Sequence, residues 1–123
     1  MPELPEVETV VRDLRANGLE GAVIRSVNVR WPRTVAGSTP GRFSAALVGR
    51  TVAELSRRAK YIVIALDSGS RLLIHLRMTG KLRFAAPDEH PGTHDHIVIA
   101  LADGRRLFFN DTRKFGRFRI AVP

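Results

Sequence analysis

The chain has 123 residues, 44% of them hydrophobic and 26% charged, which is the composition of one folded globular domain. It contains no cysteine, which excludes a disulfide framework and any cysteine-ligated zinc or iron–sulfur site. Its apolar runs are far shorter than the roughly 20 residues that a membrane-spanning helix needs, and its net charge of +8 favours a polyanionic partner, nucleic acid ahead of membrane.

The first predicted element is a helix from about Pro5 to Asn17. Acidic side chains at Glu6 and Glu8 lie where the helix dipole favours negative charge, and Gly18 follows as a typical helix end. Apolar residues recur at spacings of three and four, which predicts one buried helix face. These residues are Leu4, Val7, Val10, Val11 and Leu14.

From residue 23 onward, apolar and polar residues alternate with a period of two, which predicts β-strands. Turn residues at 67–70 and 102–104 predict two hairpins. The segments 33–40 and 86–93 are predicted loops, and residues 41–49 are a predicted short helix. The predicted strands are 23–31, 61–66, 72–78, 96–101, 105–110 and 117–122. The sequence therefore predicts a mainly β fold with flanking helices, a two-sheet β-sandwich or flattened barrel of about eight short strands.

Pro2 is the first candidate for chemistry. Removal of Met1 leaves the secondary amine of Pro2 free. This amine can add to an aldehyde carbon and, after loss of water, form an iminium ion. Glu3 and Glu6 follow closely enough to act as acid–base partners. The alternative is a plain helix start, since proline and acidic residues are common in the first turn of a helix.

The basic run at 56–61 is a second candidate, because Arg57, Arg58 and Lys60 precede an apolar strand. Cations at a strand entrance can contact phosphates, and a lysine held beside a sugar–phosphate can move protons. The alternative is a solvated basic turn.

Residues 113–119 interleave aromatic and basic side chains, a pattern found where bases stack and phosphates are neutralised. For Phe118 two positions stay open, because a strand with Phe inward and Arg outward gives the same alternation as a base-stacking surface. Phe115 is expected in an exposed turn, from which an apolar side chain can enter a base stack. His94 and His96 are expected to share one strand face. With no cysteine and no evident third ligand, the sequence favours no metal site.

Five motifs occur in a fixed order along essentially the whole chain. They are Met1-Pro-Glu-Leu-Pro-Glu-Val-Glu-Thr9, Arg57-Arg-Ala-Lys-Tyr61, His75-Leu-Arg-Met-Thr-Gly80, His94-Asp-His96 and Asn110-Asp-Thr-Arg-Lys-Phe-Gly116. Together they resemble the motifs of formamidopyrimidine-DNA glycosylases, bacterial enzymes that remove oxidised purines such as 8-oxoguanine. The resemblance implies base-excision repair by a bifunctional DNA glycosylase and AP lyase.

The resemblance implies a chemical role for three residues. Pro2 matches the nucleophile that attacks the deoxyribose C1′ and forms a Schiff base, and Glu3 matches the acid that assists opening of the sugar. Lys60 matches the lysine implicated in lesion handling and β-elimination.

The resemblance also implies contacts to double-stranded DNA with an oxidised or abasic lesion. His94 and Arg113 match phosphate contacts. Met78, Arg113 and Phe115 match the three side chains that fill the gap left when the damaged nucleotide is flipped out, and so recover part of the cost of flipping.

The family enzyme is more than twice as long as this chain. Its second half contains a helix–two-turn–helix element and a four-cysteine zinc finger, and neither is present in residues 1–123. We therefore expect an N-terminal catalytic domain alone, with no cofactor and weak or no activity in isolation. We expect the chain to be a monomer. Its acidic, proline-containing N-terminus is unlike a secretory signal, so we expect it in the bacterial cytoplasm, associated with the nucleoid.

Two other functions are consistent with parts of the sequence. A damaged-DNA-binding module without catalysis would use the basic face and Phe115 but leave the amine idle. A basic β-scaffold that binds RNA or a ribosomal surface would explain the charge but not the motifs.

Overall fold

The computed structural model describes residues 4–123, which form two four-stranded antiparallel sheets with two α-helices. The strand order is β1-β6-β7-β5 in the first sheet and β2-β3-β4-β8 in the second. The mainly β, two-sheet prediction is confirmed. The elements are α1 Leu4–Ala16, β1 Ile24–Val29, a 3₁₀ helix Pro32–Thr34, α2 Pro40–Leu47, β2 Val52–Arg58, β3 Tyr61–Leu66, β4 Arg71–His75, β5 Lys81–Phe84, β6 Asp95–Leu101, β7 Arg106–Asn110 and β8 Arg117–Ala121.

Helix α1 forms as its apolar spacing predicts. Val7, Val11 and Leu14 are buried on one face, and the helix contacts β2 and β3. The helix ends where Gly18 adopts a positive φ of 75° and the amide of Leu19 donates to the Leu14 carbonyl. This left-handed residue is a common helix terminator, because glycine adopts it without steric cost.

The core lies between the two sheets and includes side chains from both helices. Phe118 is fully buried at its centre, with ring centroids 4.9 Å from Phe109 and 6.2 Å from Phe43, both edge to face. Such aromatic pairs add stability beyond the area they bury. Of the two positions that the sequence leaves open for Phe118, the structure shows the core, and Phe118 ties β7 and α2 to the second sheet.

The structure corrects the predicted elements at several places. The basic run at 56–61 is no simple turn, because its first three residues belong to β2, which pairs with β3 through a hairpin at 59–60. A short strand, β5, follows the segment predicted to end at Met78, which leaves the sheet after His75. The predicted strand 23–31 ends at Val29, and the predicted loop 33–40 begins inside the 3₁₀ helix.

Within residues 4–123, neither helix has the length and apolar character needed to cross a bilayer.

Candidate nucleic-acid interface

Two loops lie side by side at one end of the sandwich. The turn at 76–80 joins β4 to β5, and the loop at 111–116 joins β7 to β8. In the first sheet, the start of β5 pairs with the end of β7. In the second sheet, the end of β4 pairs with the start of β8. Both sheets therefore bring these two loops together, although the loops are more than thirty residues apart in sequence.

Each loop presents one large apolar side chain to solvent. Met78 is 49% exposed and Phe115 is 48% exposed. They line an open cavity of about 390 Å³ together with Arg77 and Arg117. Exposed apolar side chains that converge in this way mark a contact surface, and the prediction that Phe115 lies in an exposed loop is confirmed.

Basic side chains surround this pair, which we call the wedge (Met78 and Phe115). The Arg113 guanidinium carbon lies 5.3 Å from the centroid of the Phe115 ring. The cavity lining contains two arginines and no acidic residue. An apolar wedge among cations has the composition expected of a surface that contacts bases and phosphates together.

The loop at 111–116 is built around Asp111, whose side chain is completely buried. Its Oδ2 accepts a 2.7 Å hydrogen bond from the amide of Gly116, and its Oδ1 accepts bonds from the amide of Arg113 and the hydroxyl of Thr79. Its own amide donates to the His94 carbonyl at 2.9 Å. Asp111 thus connects the 76–80 turn, the 111–116 loop and the carbonyl of His94, and the sequence reasoning missed both Asp111 and Thr79 as site residues.

Three non-glycine residues adopt left-handed backbone conformations, and each directly precedes a predicted site residue. Ala59, Arg77 and Lys114 have φ values of 53°, 57° and 61°, immediately before Lys60, Met78 and Phe115. Such conformations are costly for non-glycine residues and persist where surrounding contacts enforce them, often at functional sites. The Lys114 ammonium, for example, lies 4.2 Å from the centroid of the Trp31 ring.

His75 connects the wedge to the predicted lysine. Its Nδ1 accepts a 3.1 Å hydrogen bond from the amide of Arg77, and its ring packs edge to face on Tyr61 with centroids 4.9 Å apart. Burial, followed by the positive charges of Arg77 and Lys60, lowers the pKa of His75 below its ordinary value. Lys60 is therefore close enough to His75 for its positive charge to oppose protonation of the ring.

Three predicted catalytic residues, Pro2, Glu3 and Glu6, lie before or at the start of helix α1 in the sequence. Pro2 and Glu3 lie outside the described residues. Glu6 is exposed in the first turn of α1, and its catalytic role stays a prediction. Two residues further on, Glu8 forms a 3.5 Å ion pair with Arg57, close to the end of β2. The N-terminal half of α1 therefore lies beside the strand that leads into Lys60.

The two histidines of the third motif differ in their surroundings. His94 is exposed in the loop before β6, whereas His96 is buried, with its Nε2 2.7 Å from the Asp111 carbonyl oxygen. Because that oxygen only accepts, Nε2 carries the proton. Across residues 4–123, no group of three or more His, Asp or Glu side chains could hold a metal ion.

The fold and the site define a class: a β-sandwich domain whose paired loops expose apolar and basic side chains at one end. The family model for the formamidopyrimidine-DNA glycosylase N-terminal domain matches residues 1–118. The chain belongs to this family.

Full-length relatives extend well beyond the match. The formamidopyrimidine-DNA glycosylases of Chloroflexus aurantiacus and Herpetosiphon aurantiacus are 46% and 43% identical to this chain over 121 and 120 residues. Each alignment covers 98% of this chain, but only 43% and 44% of the relative. The chain therefore spans less than half the length of these relatives.

Solved structures agree with the fold. The Lactococcus lactis protein in complex with DNA containing FAPY-dG has a TM-score of 0.89 and 39% identity, covering 96% of this chain and 43% of that one. Its complex with DNA containing an abasic site has a TM-score of 0.90 and 38% identity, covering 98% and 44%.

Proposed function

We propose that this chain is the N-terminal catalytic domain of a DNA glycosylase and AP lyase that excises oxidised purines in base-excision repair. The observation that carries the proposal is the convergence of Met78, Arg113 and Phe115 on one surface. The family membership and the DNA bound to the Lactococcus lactis relatives support the same assignment. The substrates are 8-oxoguanine and formamidopyrimidines in double-stranded DNA.

The wedge provides the means of reaching a damaged base. Chemistry on a base inside a duplex requires that the nucleotide leave the stack, at a cost of a few kcal/mol. Met78 and Phe115 insert into the vacated space, and Arg113 adds a guanidinium that stacks and neutralises phosphate. Because both apolar groups are already exposed in fixed loops, little ordering is needed on binding.

The chemistry is assigned to the N-terminus. The Pro2 amine, freed by removal of Met1, attacks the deoxyribose C1′ as the base departs, while Glu3 donates the proton that opens the sugar. The product is an iminium ion, which acidifies the neighbouring C2′–H bond for β-elimination. Lys60 and Glu6 assist the proton transfers, and His94 and Arg113 bind phosphates.

The length of the chain bears on its activity. It spans less than half of its full-length relatives, and a shorter DNA-binding surface gives weaker binding. We expect the isolated chain to act as a cytoplasmic monomer without a cofactor. We expect little base excision but residual lyase activity on abasic sites, where the aldehyde is already exposed.

A binding comparison tests the role of the wedge. Phe115→Ala removes an exposed aromatic ring from the site, and Val48→Ala removes an exposed apolar side chain after α2 as the matched control. Since stacking of a base on an aromatic ring contributes about 1–3 kcal/mol, we expect Phe115→Ala to lower the preference for abasic-site duplex over undamaged duplex about tenfold. Val48→Ala should leave the preference unchanged.

Titration of both duplexes at two salt concentrations separates this effect from general electrostatic binding. Undamaged duplex should bind Phe115→Ala as it binds the unaltered chain, with the same salt dependence, because the arginines remain. Equal preference for the damaged duplex in Phe115→Ala and the unaltered chain would contradict the proposed function.

A further inference from the structure

Met78 and Phe115 lie on two separate loops, and their joint entry into DNA, which rests on the proposed function, requires that the loops be held together. We propose that Asp111 and Thr79 are positioning residues that join the 76–80 turn and the 111–116 loop into one rigid unit, so that Met78 and Phe115 enter DNA together.

The first support is the hydrogen bonding of Asp111. Its carboxylate is fully buried, and its hydrogen-bond donors come from both loops: the Thr79 hydroxyl from one, and the amides of Arg113 and Gly116 from the other. The Thr79 hydroxyl oxygen also lies 3.3 Å from the Arg113 amide. A buried carboxylate needs such partners, because an unsatisfied one is costly. The contact between the loops is therefore built into the folded state.

The second support is the backbone on either side. Both wedge residues follow a left-handed non-glycine residue, Arg77 or Lys114, and that conformation does not persist without external contacts. The 76–80 turn is closed by the Gly80 amide, which donates to the Leu76 carbonyl at 2.9 Å. Thr79 lies within this turn, so its bond to Asp111 fixes the turn against the neighbouring loop.

The third support is the tight seating of the 111–116 loop. A Cβ on Gly116 would lie 2.5 Å from Phe109 Cζ and 2.9 Å from Asp111 Oδ2. The backbone at Gly116 therefore rests directly on Phe109 and on the carboxylate, with no space for a side chain. Loss of the Thr79 hydroxyl would remove both side-chain hydrogen bonds that join the two loops in residues 4–123, the one to Asp111 and the one from the Arg113 amide.

The test compares Thr79→Val, which removes the hydroxyl and keeps the branched shape, with Thr79→Ser, which keeps the hydroxyl. The rate of hydrogen exchange at the Gly116 amide, divided by the rate at amides of β3, reports in the absence of DNA how firmly the loop is held. We expect this ratio to rise about tenfold in Thr79→Val, and to stay within about threefold of the unaltered chain in Thr79→Ser.

Binding then tests whether the junction positions the wedge. We expect Thr79→Val to lower the preference for abasic-site duplex about tenfold with undamaged duplex bound as before, and Thr79→Ser to retain the preference. An unchanged exchange ratio in Thr79→Val, or a changed ratio with full lesion preference, would overturn the inference. An unaltered chain with no lesion preference would instead overturn the proposed function, and the exchange ratio would still decide whether the loops are joined.

Asp111→Asn offers a second variant. An asparagine amide presents only one oxygen, so it cannot accept from Gly116 and Thr79 on separate oxygens as the carboxylate does. We expect it to reproduce the lost lesion preference of Thr79→Val, and retention of that preference in a folded Asp111→Asn would count against the inference.

Discussion

His75 shows how one side chain couples the stability of the fold to the geometry of the site. Its ring packs on Tyr61, and its unprotonated Nδ1 holds the amide of Arg77, the left-handed residue before Met78. Protonation of Nδ1 would remove this acceptor, and it is opposed by burial and by the charges of Arg77 and Lys60. The neutral ring is therefore the form that supports the wedge.

A pH dependence of stability follows. Because the pKa of His75 is lower in the folded state than its ordinary value of 6.5, the unfolded chain binds more protons in this range. The free energy of unfolding should therefore fall as the pH decreases below 6.5 and through the lowered pKa. Urea denaturation at pH 7.5 and 5.5 measures the fall.

Two asparagine variants identify the source of that dependence. His75→Asn keeps an acceptor for the Arg77 amide but does not titrate, so it should lose less stability between the two pH values than the unaltered chain. His90→Asn, at an exposed loop position, is the matched control and should behave like the unaltered chain. Equal losses in His75→Asn and the unaltered chain would show that His75 is not responsible.

At the scale of single residues, exposure was predictable where local sequence decides it, and burial of polar groups was not. The sequence predicts Phe115 on a turn because Gly116 and a polar segment surround it, whereas the alternation of residues 113–119 leaves Phe118 open between surface and core. Asp111 looks like an ordinary turn residue in sequence. Its burial depends on a hydroxyl thirty-two residues away, a contact that only the packing of two loops creates.

Among the elements, the strands that sequence reasoning missed are those whose patterns are irregular or short. In β2, the buried residues Val52 and Leu55 are three positions apart, because the pairing with β3 shifts register between Val52 and Glu54. This spacing does not show the period of two by which a strand is recognised. Strand β5 has only four residues and pairs with β7 alone in its sheet. By contrast, β3 matches its predicted range at both ends, because its apolar run is long and its hairpin turn is clear.

The loop elements provide a stability prediction. Gly116→Ala places a methyl group against Phe109 and Asp111, at distances that require the loop or the core to shift. We expect a loss of about 1–3 kcal/mol in the free energy of unfolding, the usual effect of overpacking. Thermal or urea denaturation measures it.

Gly41→Ala is the matched control for Gly116→Ala. A Cβ there meets nothing within 4 Å, and the residue lies in α2. Alanine favours a helix over glycine by up to about 1 kcal/mol, so this variant should be as stable as the unaltered chain or slightly more stable. A Gly116→Ala chain as stable as Gly41→Ala would contradict the tight seating of the loop.

At the scale of the whole molecule, charge and topology act together. The chain carries 20 basic and 12 acidic residues. The charged residues that line the cavity at the wedge are both arginines, Arg77 and Arg117. The Glu8–Arg57 ion pair brings the first half of α1 beside the strand that leads to Lys60, and Lys60 influences His75 beside the wedge. Helix α1, which follows Pro2 in the sequence, therefore lies beside the strand that leads to Lys60.

The most direct test of the proposed chemistry is borohydride trapping on a duplex that contains an abasic site. The aldehyde of the abasic sugar and the Pro2 amine lose water to form an iminium ion, which hydride from borohydride reduces to a stable amine linkage. A chain that begins at Pro2 should give a covalent adduct of one chain with one DNA strand, and peptide mass mapping should place the bond at Pro2.

The matched control is the same chain with Met1 retained, in which the Pro2 nitrogen is an amide without an available lone pair. We predict an adduct at Pro2 with the processed chain and no adduct at Pro2 with the chain that retains Met1, in which mass mapping also distinguishes any reaction of the Met1 amine. Equal trapping of the two forms, or binding of the abasic duplex by the processed chain with no adduct, would contradict the account; the second result would instead indicate a damaged-DNA-binding module without catalysis.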